Sequence, residues 1–140
     1  MSTREEKLLI AVSRLRNLMH RELEVVFRMY GLTTTQFSVL EVLKHKGSKS
    51  VGEIQKLVLG TNGNIPLVIK NLERDELIIR EKPENDKRIS IISLSPKGKE
   101  IVQVVYLQQK EKLEDLFSNF SDEELKTLTD KIFDVYNRLR

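Results

Sequence analysis

Residues 72–98 read LERDELIIREKPENDKRISIISLSPKG, and the period of the apolar residues changes within them. Up to this stretch Ile65, Val68, Ile69, Leu72 and Leu77 share one helical face, while Asn62, Asn64, Lys70, Asn71 and Arg74 fall largely on the other. From Ile78 to Lys82 the pattern is that of a short strand. Pro83-Glu84-Asn85-Asp86 follows as a turn, and Ile89 to Leu94 as a β-branched strand. Ser95-Pro96 then fits an N-cap with proline at the first helical position. The segment predicts a helix with a polar outer face, then a hairpin with a charged tip, then a new helix.

Outward from this stretch, Thr33 with Gln36, Ser50 with Glu53 and Ser121 with Glu124 each have the form of a capping box, in which two residues satisfy each other's orphan backbone N–H. They predict a helix over 33–46, a second carrying Ile54, Leu57 and Val58, and a last one carrying Leu125, Leu128, Ile132, Val135 and Leu139. Residues 4–30 place Leu8, Ala11, Val12, Leu15, Leu18, Met19, Leu23, Val26, Phe27 and Tyr30 on one broad face, closed by Gly31. The helix from Ser95 runs through Ile101, Val104, Val105, Leu107 and Leu113 to about Phe117. Pro66 lacks an N–H, so the helix that contains it begins between Asn62 and Ile65. The expected order is four helices, two strands and two helices: mainly α with a small β-hairpin wing, of the α+β class.

The chain has 140 residues, with 24 Lys and Arg against 21 Asp and Glu, two His and no Cys. That is one domain, residues 1–140, able to bury roughly two-thirds of its unfolded surface without a staple. Without cysteine there is no disulfide framework, thiolate metal site or thiol switch. His20 and His45 lie on different predicted helices, outside any HExxH or Ser-His-Asp order, and no glycine-rich phosphate loop follows a strand. The expectation is no catalytic residues, no metal and no cofactor. No signal-peptide core or run of about 20 apolar residues is found, so a cytoplasmic protein without membrane contact is expected. From Lys44 to Glu100 there are twelve basic residues against eight acidic, and elsewhere twelve against thirteen, so positive charge gathers in the middle.

Residues 33–95 thus form a helix-turn-helix with a wing, whose second helix is the right width for the DNA major groove. The end helices, 4–30 and 95–139, carry more apolar surface than so small a module can cover, which predicts association through them.

The run Leu72 to Arg80, then Asp86-Lys87-Arg88, then Leu94-Ser95-Pro96-Lys97-Gly98 resembles the MarR family of winged-helix transcription regulators, whose wing reads Asp-x-Arg, a strand, and Leu-(Thr/Ser)-x-x-Gly. The resemblance covers nearly the whole chain, and Gly60-Thr61-Asn62-Gly63-Asn64-Ile65 is similar to the recognition-helix entry of one branch. Two departures stand out: Glu76 where many members have Gly, and Pro66 at a position rarely given to proline.

The resemblance implies a homodimer held by the end helices, with winged units binding a near-palindromic double-stranded DNA operator; since a dimer seated there occludes polymerase, the expected role is that of a repressor. The two half-sites lie about one helical turn, ~34 Å, apart. It implies Arg88 in the minor groove, oriented by Asp86 with Lys87 between them; the bland reading is a solvated ion pair. Asn62, Asn64 and Asn71 can address adenine, Lys70 and Arg74 phosphate or guanine, and Thr61 or Ser38 phosphate. The same residues also read as caps and a solvated face. Family members often release DNA on binding a small aromatic or phenolic effector beside the dimer helices. Phe27, Tyr30 and Phe37, near Met29, stand there, or else simply pack the core. The alternative function is a winged-helix module that dimerises and binds a protein partner.

Overall fold

The computed structural model describes residues 1–58 and 64–140. Among these, α1 spans Arg4–Arg28, α2 Thr34–Lys46, β1 Lys49–Ser50, α3 Val51–Leu57, α4 Ile65–Arg74, β2 Ile78–Glu81, β3 Ile91–Leu94, α5 Pro96–Leu116 and α6 Asp122–Leu139. All three predicted capping boxes form, at Thr33, Ser50 and Ser121. A fourth, Thr3 with Glu6, opens α1. Asn64 caps α4, whose start falls within the range that Pro66 requires.

Two expectations are corrected. The sheet has three strands in the order β1-β3-β2, because Lys49 and Ser50 pair antiparallel with Ile92 and Ile91. And β3 begins at Ile91 rather than Ile89, since the wing's turn runs on through Arg88 and leaves Ile89 exposed. The main ladder sets Ile78 opposite Leu94 and Glu81 opposite Ile91.

The core gathers around α2, which buries Phe37, Val39, Leu40 and Leu43. Against it pack Ile54 of α3, Ile69 and Leu72 of α4, Ile92 of β3 and Val102 and Val105 of α5. These faces seat α4 with its polar side outward.

The exit of α4 is fixed in an unusual way. The Leu77 N–H reaches the Leu72 carbonyl at 2.9 Å and the Glu76 N–H the Glu73 carbonyl at 3.0 Å, the paired bonds of a Schellman ending. That ending needs a left-handed residue, and Glu76 supplies it with φ of 62°. At the end of α1 the same turn uses Gly31, φ 71°. The departure at Glu76 therefore leaves the geometry intact and puts its cost into the backbone.

This exit is clamped to the start of α5. Buried Ser95 donates its hydroxyl to the Glu76 carbonyl at 2.7 Å and accepts the Gly98 N–H at 2.9 Å, while its own N–H reaches the Leu77 carbonyl at 3.1 Å. A Cβ on Gly98 would stand 2.0 Å from the Leu77 oxygen, so only glycine allows α5 to approach. The Leu94-to-Gly98 motif is thus a joint between the second helix of the winged unit and a helix that leads to the far end of the molecule.

Candidate nucleic-acid interface

Two neighbouring elements present the candidate side chains, the wing between β2 and β3 and the outer face of α4. In the wing, the Asp86 N–H closes a turn onto the Pro83 carbonyl at 3.3 Å. The Asp86 carboxylate then accepts three bonds from one residue: the Arg88 backbone N–H at 3.1 Å, Nε at 3.0 Å and Nη2 at 3.2 Å. The last two form a planar fork, the geometry in which guanidinium meets carboxylate most strongly. The Arg88 side chain nevertheless remains 91% exposed, against 33% for Asp86. A cation is thus held in one direction while facing solvent. The Arg88 side-chain bond, followed by its backbone bond, holds the Asp86 carboxyl below its ordinary 3.8, and the same pairing raises the guanidinium. Lys87 is exposed between them.

On α4, Lys70 is exposed, Asn71 half-buried, and exposed Arg74 lies 3.3 Å from the Asp75 carboxylate. Asn64 spends its Oδ1 on the Leu67 N–H at 3.3 Å, so its capping role is realised. Arg80 of β2 reaches Glu73 of α4 at 3.4 Å and ties wing to helix. Thr61 and Asn62 lie outside the described residues.

Ser38 leaves the set. It sits on α2, half-buried, its hydroxyl donating to the Thr34 carbonyl at 3.0 Å, and it lines an interior cavity instead. Pro66 and Leu67, which the sequence pattern does not mark as contact residues, are exposed on the outer face of α4. Helical spacing carried that signal, since Leu67 falls opposite Ile65, Ile69 and Leu72.

The cavity, about 270 Å³, lies among α1, α2, the end of α3 and α5, with His20, Phe27, Thr34, Phe37, Ser38 and Gln109 in its lining. Phe27 and Phe37 stack at 4.6 Å between centroids. The Thr34 hydroxyl is buried there without a hydrogen-bond partner among the described residues. Tyr30, expected at this pocket, does not line it and packs against the core.

A large apolar surface lies away from the winged unit. Along α1, Leu8, Val12, Leu15 and Leu18 are exposed, and along α6 Leu128, Ile132, Phe133, Val135, Tyr136 and Leu139. α6 buries none of its residues. No helix among the described residues is long and apolar enough to cross a membrane, and no cluster among them could hold a metal ion.

Residues 22–105 match the family model of the transcriptional regulators SarA/Rot. The chain is 28% identical over 132 residues to the HTH-type transcriptional regulator MhqR of Bacillus subtilis, covering 94% of this chain and 91% of that one. Its fold superposes on a MarR-like transcription regulator from Bacillus cereus with a TM-score of 0.89, 24% identity and coverage of 97% and 98%. It also superposes on a mutant MarR from Escherichia coli complexed with operator DNA, with a TM-score of 0.78, 22% identity and coverage of 96% and 99%.

Proposed function

We propose, starting from the fact that this chain belongs to the SarA/Rot family of transcriptional regulators and carries the MarR winged-helix fold, that it is a dimeric, sequence-specific repressor acting on a near-palindromic double-stranded operator. As a transcription regulator it is not an enzyme, and its working place is the cytoplasm, where the DNA is.

The observation that carries this reading is the Asp86–Arg88 fork. A solvated ion pair contributes little to a fold, so a guanidinium held by two bonds to a carboxylate that also anchors its own backbone N–H, yet almost wholly exposed, is better explained by an external target. A narrow minor groove, with its concentrated negative potential, suits a single oriented arginine. With Arg88 there, α4 lies in the adjacent major groove and turns Lys70, Asn71 and Arg74 toward bases and phosphates, with Lys87 on the backbone. Asn64 caps that helix at the DNA surface, and the sequence pattern adds Thr61 and Asn62 as candidate contacts.

The exposed apolar faces of α1 and α6, with α5 between, pair with a second copy about a two-fold axis, and one winged unit then meets each half-site. Seated on its operator, such a dimer occludes polymerase. A small aromatic or phenolic effector in the cavity beside Phe27 and Phe37 finds a stacking wall and a free hydroxyl at Thr34, and releases DNA by favouring one spacing of the two units.

Selection of random duplex DNA on the purified protein, with the winners re-measured from about 50 to 200 mM salt, tests the proposal. A two-fold symmetric winner whose affinity falls by decades over that range supports it. No enrichment refutes it and moves the function to binding a protein partner.

A further inference from the structure

The outer face of α4 begins with carbon rather than with hydrogen-bond donors. Pro66 has no N–H, the Leu67 N–H is spent on Asn64, and the Leu67 side chain is left 52% exposed. Leu67, Lys70 and Arg74 follow at i, i+3 and i+7, one stripe about 10 Å long, or roughly three base pairs of duplex. A single exposed leucine is ordinary on a protein surface. This one stands at the head of a row whose other members are cations, on the turn that meets base edges when such a helix enters the major groove.

An aliphatic side chain has one partner on those edges, the C5-methyl group of thymine. Resting on the DNA-binding reading above, we propose that Leu67, flanked by Pro66, reads thymine methyl groups, so that each operator half-site carries thymine where the first turn of α4 seats. Specificity at that position is then apolar, and the charged members of the row supply affinity.

The test replaces each thymine of the selected duplex, one at a time, with deoxyuridine, which deletes the methyl and keeps the pairing. The wild-type protein is expected to lose about fourfold in affinity at one or two positions per half-site, the worth of burying one methyl group. Leu67→Ala should bind the thymine and uracil duplexes equally. Leu67→Gln should shift the enriched base there from thymine toward adenine, whose N6 and N7 suit a side-chain amide. Because Leu67 is exposed, both variants should keep the wild-type unfolding midpoint. Indifference to uracil at every position, or an unchanged thymine-to-uracil ratio in Leu67→Ala, overturns the inference while DNA binding stands. Failure to enrich any duplex sinks the DNA-binding reading, and this inference with it.

Discussion

Arg88 and Asp86 show how much one pair of side chains carries at the level of single residues. Arg88→Ala should weaken specific DNA binding by about 5- to 100-fold and leave self-association unchanged, and Asp86→Ala should do the same more weakly. Titration supplies a second check. The folded carboxyl of Asp86 lies below its unfolded value, so what the pair adds is fully present above 3.8 and is lost only as pH falls through the depressed folded value. Its carboxyl resonance should therefore titrate below 3.8 in the wild type and return toward it in Arg88→Ala. This pair was legible in the sequence through the resemblance of Asp86-Lys87-Arg88 to the Asp-x-Arg of the MarR wing. The state of Glu76 was not. A departure from glycine shows in the sequence as a substitution, whereas its left-handed backbone follows from the Leu77–Leu72 and Glu76–Glu73 bonds. Glu76→Gly should accordingly stabilise the fold by about 0.5 to 1 kcal/mol in denaturant unfolding, the left-handed cost less the flexibility glycine adds to the unfolded chain.

At the scale of elements, the helices were readable where a capping box and a 3.6-residue period coincide, as at Thr33 and Ser121. β1 was not, since two residues display no period and Ser50 already reads as a helix cap, a role it fills while also pairing with Ile91. The joint between α4 and α5 was visible only as a motif. Its meaning depends on where the Leu77 carbonyl comes to rest, which no local pattern states. Gly98→Ala should cost about 2 to 3 kcal/mol, because the Leu77 oxygen it strikes is backbone and cannot swing aside. Ser95→Ala removes the cap of α5 and leaves the Glu76 carbonyl unpaired, for a loss of about 2 kcal/mol. Both are read from denaturant midpoints. The hydroxyl of Ser38, one turn into α2, looks free in the sequence, but in the structure the carbonyl of Thr34 takes its proton.

For the molecule as a whole, the surplus of apolar residues at the chain ends was plain in the sequence, while the cavity beside Phe27 and Phe37 was only half legible, since Gln109 and Leu57 reach it from distant parts of the chain. α6 buries no residue and α1 is exposed from Arg4 to Leu18, so the isolated chain has little reason to keep either end folded. The midpoint of thermal unfolding should therefore rise with protein concentration, as it does for a dimer whose folding and association are coupled. Phe133→Asp should yield monomers in sedimentation and abolish operator binding, while an unshifted sedimentation coefficient would refute this interface. The contact between Gly98 and Leu77 bears on the same scale. α5 is 21 residues long, about 31 Å, and its first turn is fastened to the exit of α4. A helix of that length magnifies any small rotation about its C-cap at Phe117. A swing of only about five degrees there carries the helix's other end, and α4 with it, nearly 3 Å sideways, close to the ~3.4 Å that separates successive bases. The molecule has no need to unfold in order to lose its place on DNA, because a tilt of a few degrees is enough to read one letter out of step.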